Sequence, residues 1–239
     1  MVLGQTLFRQ VAVRMFDAAM DANVRNILAL LEGKPGGTFL DLGCDDGERT
    51  LLFARAAGSE RIHGVEIVPE RAELAAGRGI EVVAADLNRR LPYDDGTFDV
   101  VCSNQVIEHL ADTDTFVAEL QRVLRPGGFA VTSTENLASW HNVASLVLGW
   151  QPFSLTNVSR ERLGLGNPFA IHRAEEGLEL ESWQHLRVFA HRGLRELFEA
   201  HGFKVERLVG AGYYPLPRRL ASVDSRHAAF LTVKARKAR

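Results

Sequence analysis

Between residues 38 and 134, short apolar runs alternate with segments of helical periodicity, and this alternation restricts the fold more than any other feature of the chain. Residues 38–42, 62–67, 80–85, 98–103 and 128–134 read as strands, and residues 48–57, 70–76 and 113–124 as helices. Strands that are apolar on both faces and joined through helices require a parallel sheet covered on both sides. A helix over residues 7–31, with Phe8, Val11, Met15, Ala19, Ile27 and Leu31 on one face, precedes the pattern and stops at Gly33, Pro35, Gly36 and Gly37. A helix at 194–200, a strand at 203–209, a turn around Pro215 and Pro217 and a strand at 228–234 follow it, and the last two strands can pair antiparallel. The expectation is an α/β chain with a Rossmann-like, doubly wound, seven-stranded, mostly parallel sheet whose last strand is antiparallel.

The alternation fails from 135 to 192. About 58 residues lie there, far beyond the usual connection of about 4 to 6, and they hold Trp140, Trp150, Trp183, His141, His172, His185 and His191. This stretch is expected to be an inserted lid. One domain of residues 1–239 follows: an N-terminal helix (1–36), a core (37–134), the insertion (135–192), and a C-terminal helix with two antiparallel strands (193–239).

With 28 Lys and Arg against 30 Asp and Glu, the net charge is −2, and no basic excess marks a binder of nucleic acid or anionic membrane. No apolar run approaches the roughly 18 to 20 residues that span a bilayer, and residues 1–14 lack the pattern of a secretory signal. The expectations are a cytoplasmic location and a small-molecule partner. The two cysteines, Cys44 and Cys102, lie apart within apolar segments and are expected reduced and buried. No His-Glu-x-x-His pair is present, and no carboxylate trio stands at the strand ends beyond Asp86 and the Asp94-Asp95 pair, which read better as turn residues, so no metal is expected.

Chemistry concentrates at Phe39-Leu40-Asp41-Leu42-Gly43-Cys44-Asp45-Asp46-Gly47, a strand running into a glycine-containing turn and then a helix. Ligands of doubly wound folds bind at the carboxyl edge of the sheet, where glycine lets the backbone approach them closely. Glu66, 25 positions after Asp41 and at the end of the second strand, can accept both ribose hydroxyls of an adenosine. Asp86 ends the third strand facing an adenine amine, with Leu87 against the ring. A dinucleotide fold would have Gly-x-Gly-x-x-Gly to hold pyrophosphate on a helix N-terminus. Asp45 and Asp46 repel such an anion and suit a cationic ligand, so Asp41 can face an ammonium group.

At these residues the chain resembles the class I S-adenosylmethionine-dependent methyltransferases. Asp41-Leu42-Gly43-Cys44 resembles the family's first motif, Glu66 its ribose acid, and Ala85-Asp86-Leu87 its adenine-contact segment. The run from Leu91 to Val101 is similar to the approach to its fourth strand, and Leu124-Arg125-Pro126-Gly127-Gly128 to the turn before its fifth. Asp45 stands where the family has its middle glycine, and Asp tolerates the left-handed backbone better than most residues. The resemblance implies S-adenosyl-L-methionine as cofactor, held by Asp41, Gly43, Cys44, Gly47, Glu66, Ile67, Asp86, Leu87 and Asn104.

Ser103-Asn104-Gln105-Val106 lacks the Pro-Pro-aromatic sequence of amino-group methyltransferases. The segments at 134–139 and 185–190 look like a subgroup acting on small or saccharide-linked metabolites. The implied reaction is methyl transfer to a hydroxyl, with Asn136, Trp140 and Trp183 lining the acceptor pocket. A hydroxyl needs a general base, for which His109, His185 and His141 are candidates. Two alternatives stand beside it, a noncatalytic S-adenosylmethionine-binding regulatory module and an NAD-dependent oxidoreductase.

Overall fold

A computed structural model describes residues 2–32, 35–159, 163–171, 184–214, 216 and 218–238, with backbone alone for residues 2–9 and 218. The elements, in chain order, are α1 (Val2–Leu30), β1 (Gly37–Leu42), α2 (Glu48–Ala56), β2 (Ser59–Val65), α3 (Pro69–Gly77), β3 (Glu81–Val83), β4 (Phe98–Asn104), α4 (Thr113–Val123), β5 (Leu124–Glu135), α5 (Trp140–Val147), α6 (His191–Ala200), β6 (Phe203–Ala211) and β7 (Phe230–Lys237). Single 3₁₀ turns sit at Ile107–His109 and Phe153–Leu155.

The seven strands form one sheet in the order β3-β2-β1-β4-β5-β7-β6. β1 pairs in parallel with β2 and β4, and β4 with β5. Only β7 runs against both its neighbours, β5 and β6. This is the doubly wound sheet that the alternation predicts. Successive residues of β1 enter opposite cores, because side chains alternate along a strand. Leu40 and Leu42 pack with Phe98, Phe116, Leu120 and Phe198 under α4 and α6, while Phe39 packs with Ile27, Phe53, Val100 and Val131 under α1 and α2.

Local chemistry fixes the helix ends near the site. Pro69 opens α3, where its missing N–H costs nothing, and Asp112 caps α4 by accepting the Thr115 N–H at 2.9 Å. α1 is longer than the periodicity at 7–31 implies, and its buried Asn23 ties it to the sheet. Asn23 Nδ2 donates to Asn104 Oδ1 at 2.9 Å and Ser133 Oγ at 3.1 Å, and its Oδ1 accepts from Thr232 at 2.9 Å. The Arg125–Gly128 run does not precede β5 but lies within it, as a bulge where the register passes from Phe98–Leu124 to Val100–Phe129. A Cβ on Gly128 would meet the Asp99 carbonyl oxygen at 2.9 Å, so the strand can close on β4 only through glycine. Among the described residues, no helix is long and apolar enough to cross a membrane.

Candidate active site

The turn after β1 is tight and uses left-handed backbone at three positions. Gly43, Asp45 and Gly47 all have positive φ, at 78°, 49° and 84°. A Cβ on Gly43 would meet Val106 Cγ2 at 2.5 Å, so the close passage of the chain there requires glycine. Asp45 adopts the left-handed backbone expected of it and is held there by Glu66. Glu66 Oε2 accepts the Asp45 N–H at 3.0 Å and Oε1 accepts the Val68 N–H at 2.9 Å. Each carboxylate oxygen retains a lone pair for a further donor.

Asp41 is buried and receives the Thr50 hydroxyl on Oδ2 at 2.6 Å. Its Oδ1 is buried without a hydrogen-bond partner among the described residues. Burial, opposed by the Thr50 hydrogen bond and reinforced by the Glu66 charge, raises its pKa to about 7. An acceptor atom without a donor beside a glycine turn fits the ammonium end of an amino acid. Cys44 is buried, and its thiol is pushed up to about 12 by burial and by the neighbouring Asp41 and Glu66 charges. Cys102 is likewise a free, buried thiol.

Farther along the sheet edge, Asp86 accepts the Asn88 N–H and Nδ2 on Oδ1, both at 2.9 Å, which hold its carboxyl below the usual range. Leu87 packs on the core beneath and Ile67 is 56% exposed, as a residue covering an adenine ring from outside would be. Asn104 closes β4. Its Oδ1 accepts from Asn23 and Ser133, so the amide oxygen secures α1.

A cavity of about 230 Å³ lies beyond the carboxyl ends of β4 and β5. Its polar wall holds Gln105, Glu108, His109, Glu135 and His185, and its apolar wall Phe16, Met20 and Phe230. The return of the insertion is fastened to this wall, since Leu186 N and Arg187 N both donate to the Glu108 carbonyl, at 2.7 and 3.1 Å. Glu108 Oε2 accepts the Thr134 hydroxyl at 2.9 Å. The Gln105 amide, with its nitrogen turned to Glu108, donates to Oε1 at 3.2 Å. His109 Nδ1 lies 3.1 Å from the Gln184 carbonyl oxygen and His185 Nδ1 2.7 Å from that of Ser154. A carbonyl only accepts, so Nδ1 is the donor in both rings and Nε2 carries the free lone pair. The two rings meet edge to face at 4.8 Å. Burial is the main cause that lowers His109 to about 4, and His141, against Phe153 and Tyr214, to about 3.

All three histidines expected from the sequence therefore line one cavity. Two expected acceptor residues do not. Asn136 is buried and donates through Nδ2 to the Arg226 and Ala228 carbonyls at 2.8 and 2.7 Å, while its Oδ1 accepts the Ala138 N–H at 3.0 Å. All of its polar atoms are engaged in holding the chain at the end of β5. Trp140 donates to the Tyr213 hydroxyl at 2.9 Å and stacks on His227, away from the cavity lining. Trp183 and His172 lie outside the described residues. Glu135, Gln105 and Phe16 line the cavity without having been singled out in the sequence. Glu135 alone carried a signal, as an acid closing the apolar and hydroxyl-bearing Phe129–Thr134 run of β5. No metal is expected from the sequence, yet Glu108, His109 and His185 stand together, because His185 returns from far along the chain.

Comparison with known proteins agrees with this architecture. A family model described as a methyltransferase domain matches residues 13–208. A protein of Mycolicibacterium smegmatis named a probable S-adenosylmethionine-dependent methyltransferase is 31% identical over 196 residues, 80% of this chain and 60% of that protein. Norajmaline N-methyltransferase of Rauvolfia serpentina is 36% identical over 123 residues, 48% of this chain and 41% of that protein. The chain thus spans less than two thirds of the length of these curated relatives. An S-adenosylmethionine-dependent methyltransferase from Mesorhizobium loti superposes with a TM-score of 0.60 at 20% identity, covering 93% of this chain and all of that one. A [4+2]-cyclase superposes at 0.57 with 17% identity, covering 91% and 81%, so likeness at this level carries the fold alone. The family match over residues 13–208, on a sheet whose β1 carries an Asp41 oxygen buried without a hydrogen-bond partner among the described residues and whose β2 is followed by Glu66, decides the assignment. The chain belongs to the methyltransferase domain family, of the class I kind that uses S-adenosylmethionine as cofactor.

Proposed function

We propose that this chain transfers the methyl group of S-adenosylmethionine to a hydroxyl of a small-molecule acceptor, such as a sugar-linked or secondary metabolite. When bound, the cofactor supplies a methyl group on a positively charged sulfur, ready for in-line displacement. The chain's contribution is then to hold both ligands in line and to manage the hydroxyl proton. Asp41, Gly43 and Glu66 hold the cofactor, Asp86 and Leu87 take its base, and the insertion over residues 135–192 selects the acceptor.

The observation that carries the hydroxyl reading is the polar wall of the cavity. Two imidazoles fixed with Nε2 as acceptor, His109 and His185, stand beside the carboxylates of Glu108 and Glu135. Such a wall takes up a donor group and its proton, and the apolar wall of Phe16, Met20 and Phe230 covers the rest of the molecule. His141 supports the acceptor's far side. A cavity of about 230 Å³ and a net charge of −2 favour a small molecule over nucleic acid, and the two free thiols are in keeping with a cytoplasmic setting.

The test is incubation with methyl-labelled S-adenosylmethionine and a panel of hydroxyl, amine and carbon acceptors of similar size, with the product located by NMR. Methylation at oxygen is expected. Methylation at nitrogen or carbon alone would remove the hydroxyl reading while keeping the transferase one.

A further inference from the structure

We propose that Glu108, His109 and His185 form a binding site for a divalent transition-metal cation on the wall of the acceptor cavity. One ligand atom from each of the three lies within 4.8 Å of the other two. Metal-to-ligand distances are about 2.0 to 2.2 Å for imidazole nitrogen and carboxylate oxygen, so small side-chain rotations close the set around one ion.

The surroundings of the three residues have the form of a second coordination shell. A histidine ligand characteristically donates its other ring N–H to a carbonyl or carboxylate, which fixes the tautomer and the ring plane. Here both rings do so, His109 to the Gln184 carbonyl at 3.1 Å and His185 to the Ser154 carbonyl at 2.7 Å. Glu108 is 1% exposed and is oriented by the Thr134 hydroxyl. Its own carbonyl binds Leu186 N and Arg187 N, so the segment that carries His185 is anchored to the residue that supplies the carboxylate.

The electrostatics of the cavity point the same way. Glu108 and Glu135 share it, and no Lys or Arg is among its described lining residues. Glu135 Oε2 is buried without a hydrogen-bond partner among the described residues, 3.6 Å from His185 Nδ1. Buried carboxylates without a compensating cation are costly. Two imidazoles and one carboxylate suit zinc, cobalt, manganese or iron(II) better than magnesium or calcium, which prefer all-oxygen sites. Three protein ligands leave coordination positions open toward the cavity.

The part such a cation plays in catalysis rests on the hydroxyl reading above; its binding does not. An acceptor oxygen in an open position is made more acidic by the metal. With the Nε2 lone pairs of His109 and His185 engaged by the ion, the proton passes to Glu135 in place of an imidazole, the oxygen forms a bond to the methyl carbon, and the carbon–sulfur bond breaks with its electron pair remaining on sulfur.

The experiment is titration of the chelator-treated full chain with Co²⁺, followed by visible absorption and calorimetry. One ion per chain is expected, with the ligand-field bands of a site containing nitrogen. Glu108→Gln and His185→Ala should each weaken binding at least tenfold, with circular dichroism and S-adenosylhomocysteine affinity unchanged. No binding by the wild type at millimolar Co²⁺ or Zn²⁺, or wild-type binding in both variants, would overturn the site. Should the variants not fold, wild-type crystals soaked in Zn²⁺ decide: an anomalous peak at bonding distance from His109 and His185 supports the site, and its absence overturns it. Metal bound at the site with no hydroxyl acceptor methylated would sustain this inference and remove the hydroxyl reading alone.

Discussion

Glu66 Oε2 accepts the backbone N–H of Asp45 at 3.0 Å, so the acid just after β2 holds the turn that follows β1 in its left-handed conformation. The same carboxylate is the one proposed to receive ribose hydroxyls, and on that proposal shaping the turn and binding the cofactor are coupled through one side chain. Glu66→Ala should lower S-adenosylhomocysteine affinity at least tenfold, since charge-assisted hydrogen bonds are worth about 1.5 to 3 kcal/mol each. Calorimetry measures this. Wild-type affinity in the variant would refute the role.

Asp45 has φ 49°, and its carboxylate makes an exposed ion pair with Arg71 at 3.3 Å, which is worth little. Asp45→Gly should change stability by less than about 0.5 kcal/mol, because the relief of left-handed strain offsets the greater entropy of the unfolded chain. Asp45→Val should cost about 1 to 2 kcal/mol, because a branched Cβ is disfavoured there. Urea denaturation of the pair checks both values. Equal stability of the two variants would show that the backbone at 45 is not left-handed in solution.

The pKa of Asp41, about 7 against 3.8 for the unperturbed group, makes stability depend on pH. The folded state holds this proton more tightly than the unfolded chain. The stabilisation is therefore complete below about pH 4 and is lost as pH rises through 7. Between those limits, unfolding free energy should fall with pH more steeply in the wild type than in Asp41→Asn, by up to about 1.4 kcal/mol per pH unit. A cationic ammonium favours the ionised carboxyl, so cofactor affinity in the wild type should rise as pH passes 7. Parallel stability profiles of wild type and variant would contradict this account.

Cys44 is 3% exposed, and its thiol is pushed up to about 12. The native chain should resist alkylation by iodoacetamide at pH 8 and react only when unfolded, because the thiolate is the nucleophile. Mass spectrometry of the intact protein reads the result, and rapid labelling of Cys44 in the folded state would disprove its burial.

Asn136→Ala should act on stability before it acts on the acceptor. It strips partners from the Arg226 and Ala228 carbonyls and from the Ala138 N–H, and buried groups left unpaired cost about 1 to 3 kcal/mol each. A drop of at least about 2 kcal/mol in unfolding free energy is expected. A variant as stable as the wild type but impaired in acceptor binding would return Asn136 to the cavity wall.

The doubly wound sheet and the tight turn at its carboxyl edge were legible in the chain because their signals are local. Side-chain alternation, the glycines of a tight turn and an acid closing a strand lie within a few residues of one another, so Asp41, Gly43 and Glu66 could be placed by spacing alone. Even the unusual Asp45 could be reconciled with the turn, since its tolerance of left-handed backbone is a property of the residue. The acceptor side followed a different logic. Asn136 and Trp140 are polar and aromatic residues of the kind that line pockets, but neighbours distant in sequence, Ala228 and Arg226 for one and Tyr213 for the other, direct them to structural bonds. Conversely, Phe16 from α1, Glu135 from β5 and His185 from the insertion acquire a shared cavity only when the sheet is closed and the insertion returns to the Glu108 carbonyl. Periodicity determines which face of its own element a residue occupies. Which distant residue that face meets is set by packing over the whole chain, and that was decided by the tertiary structure.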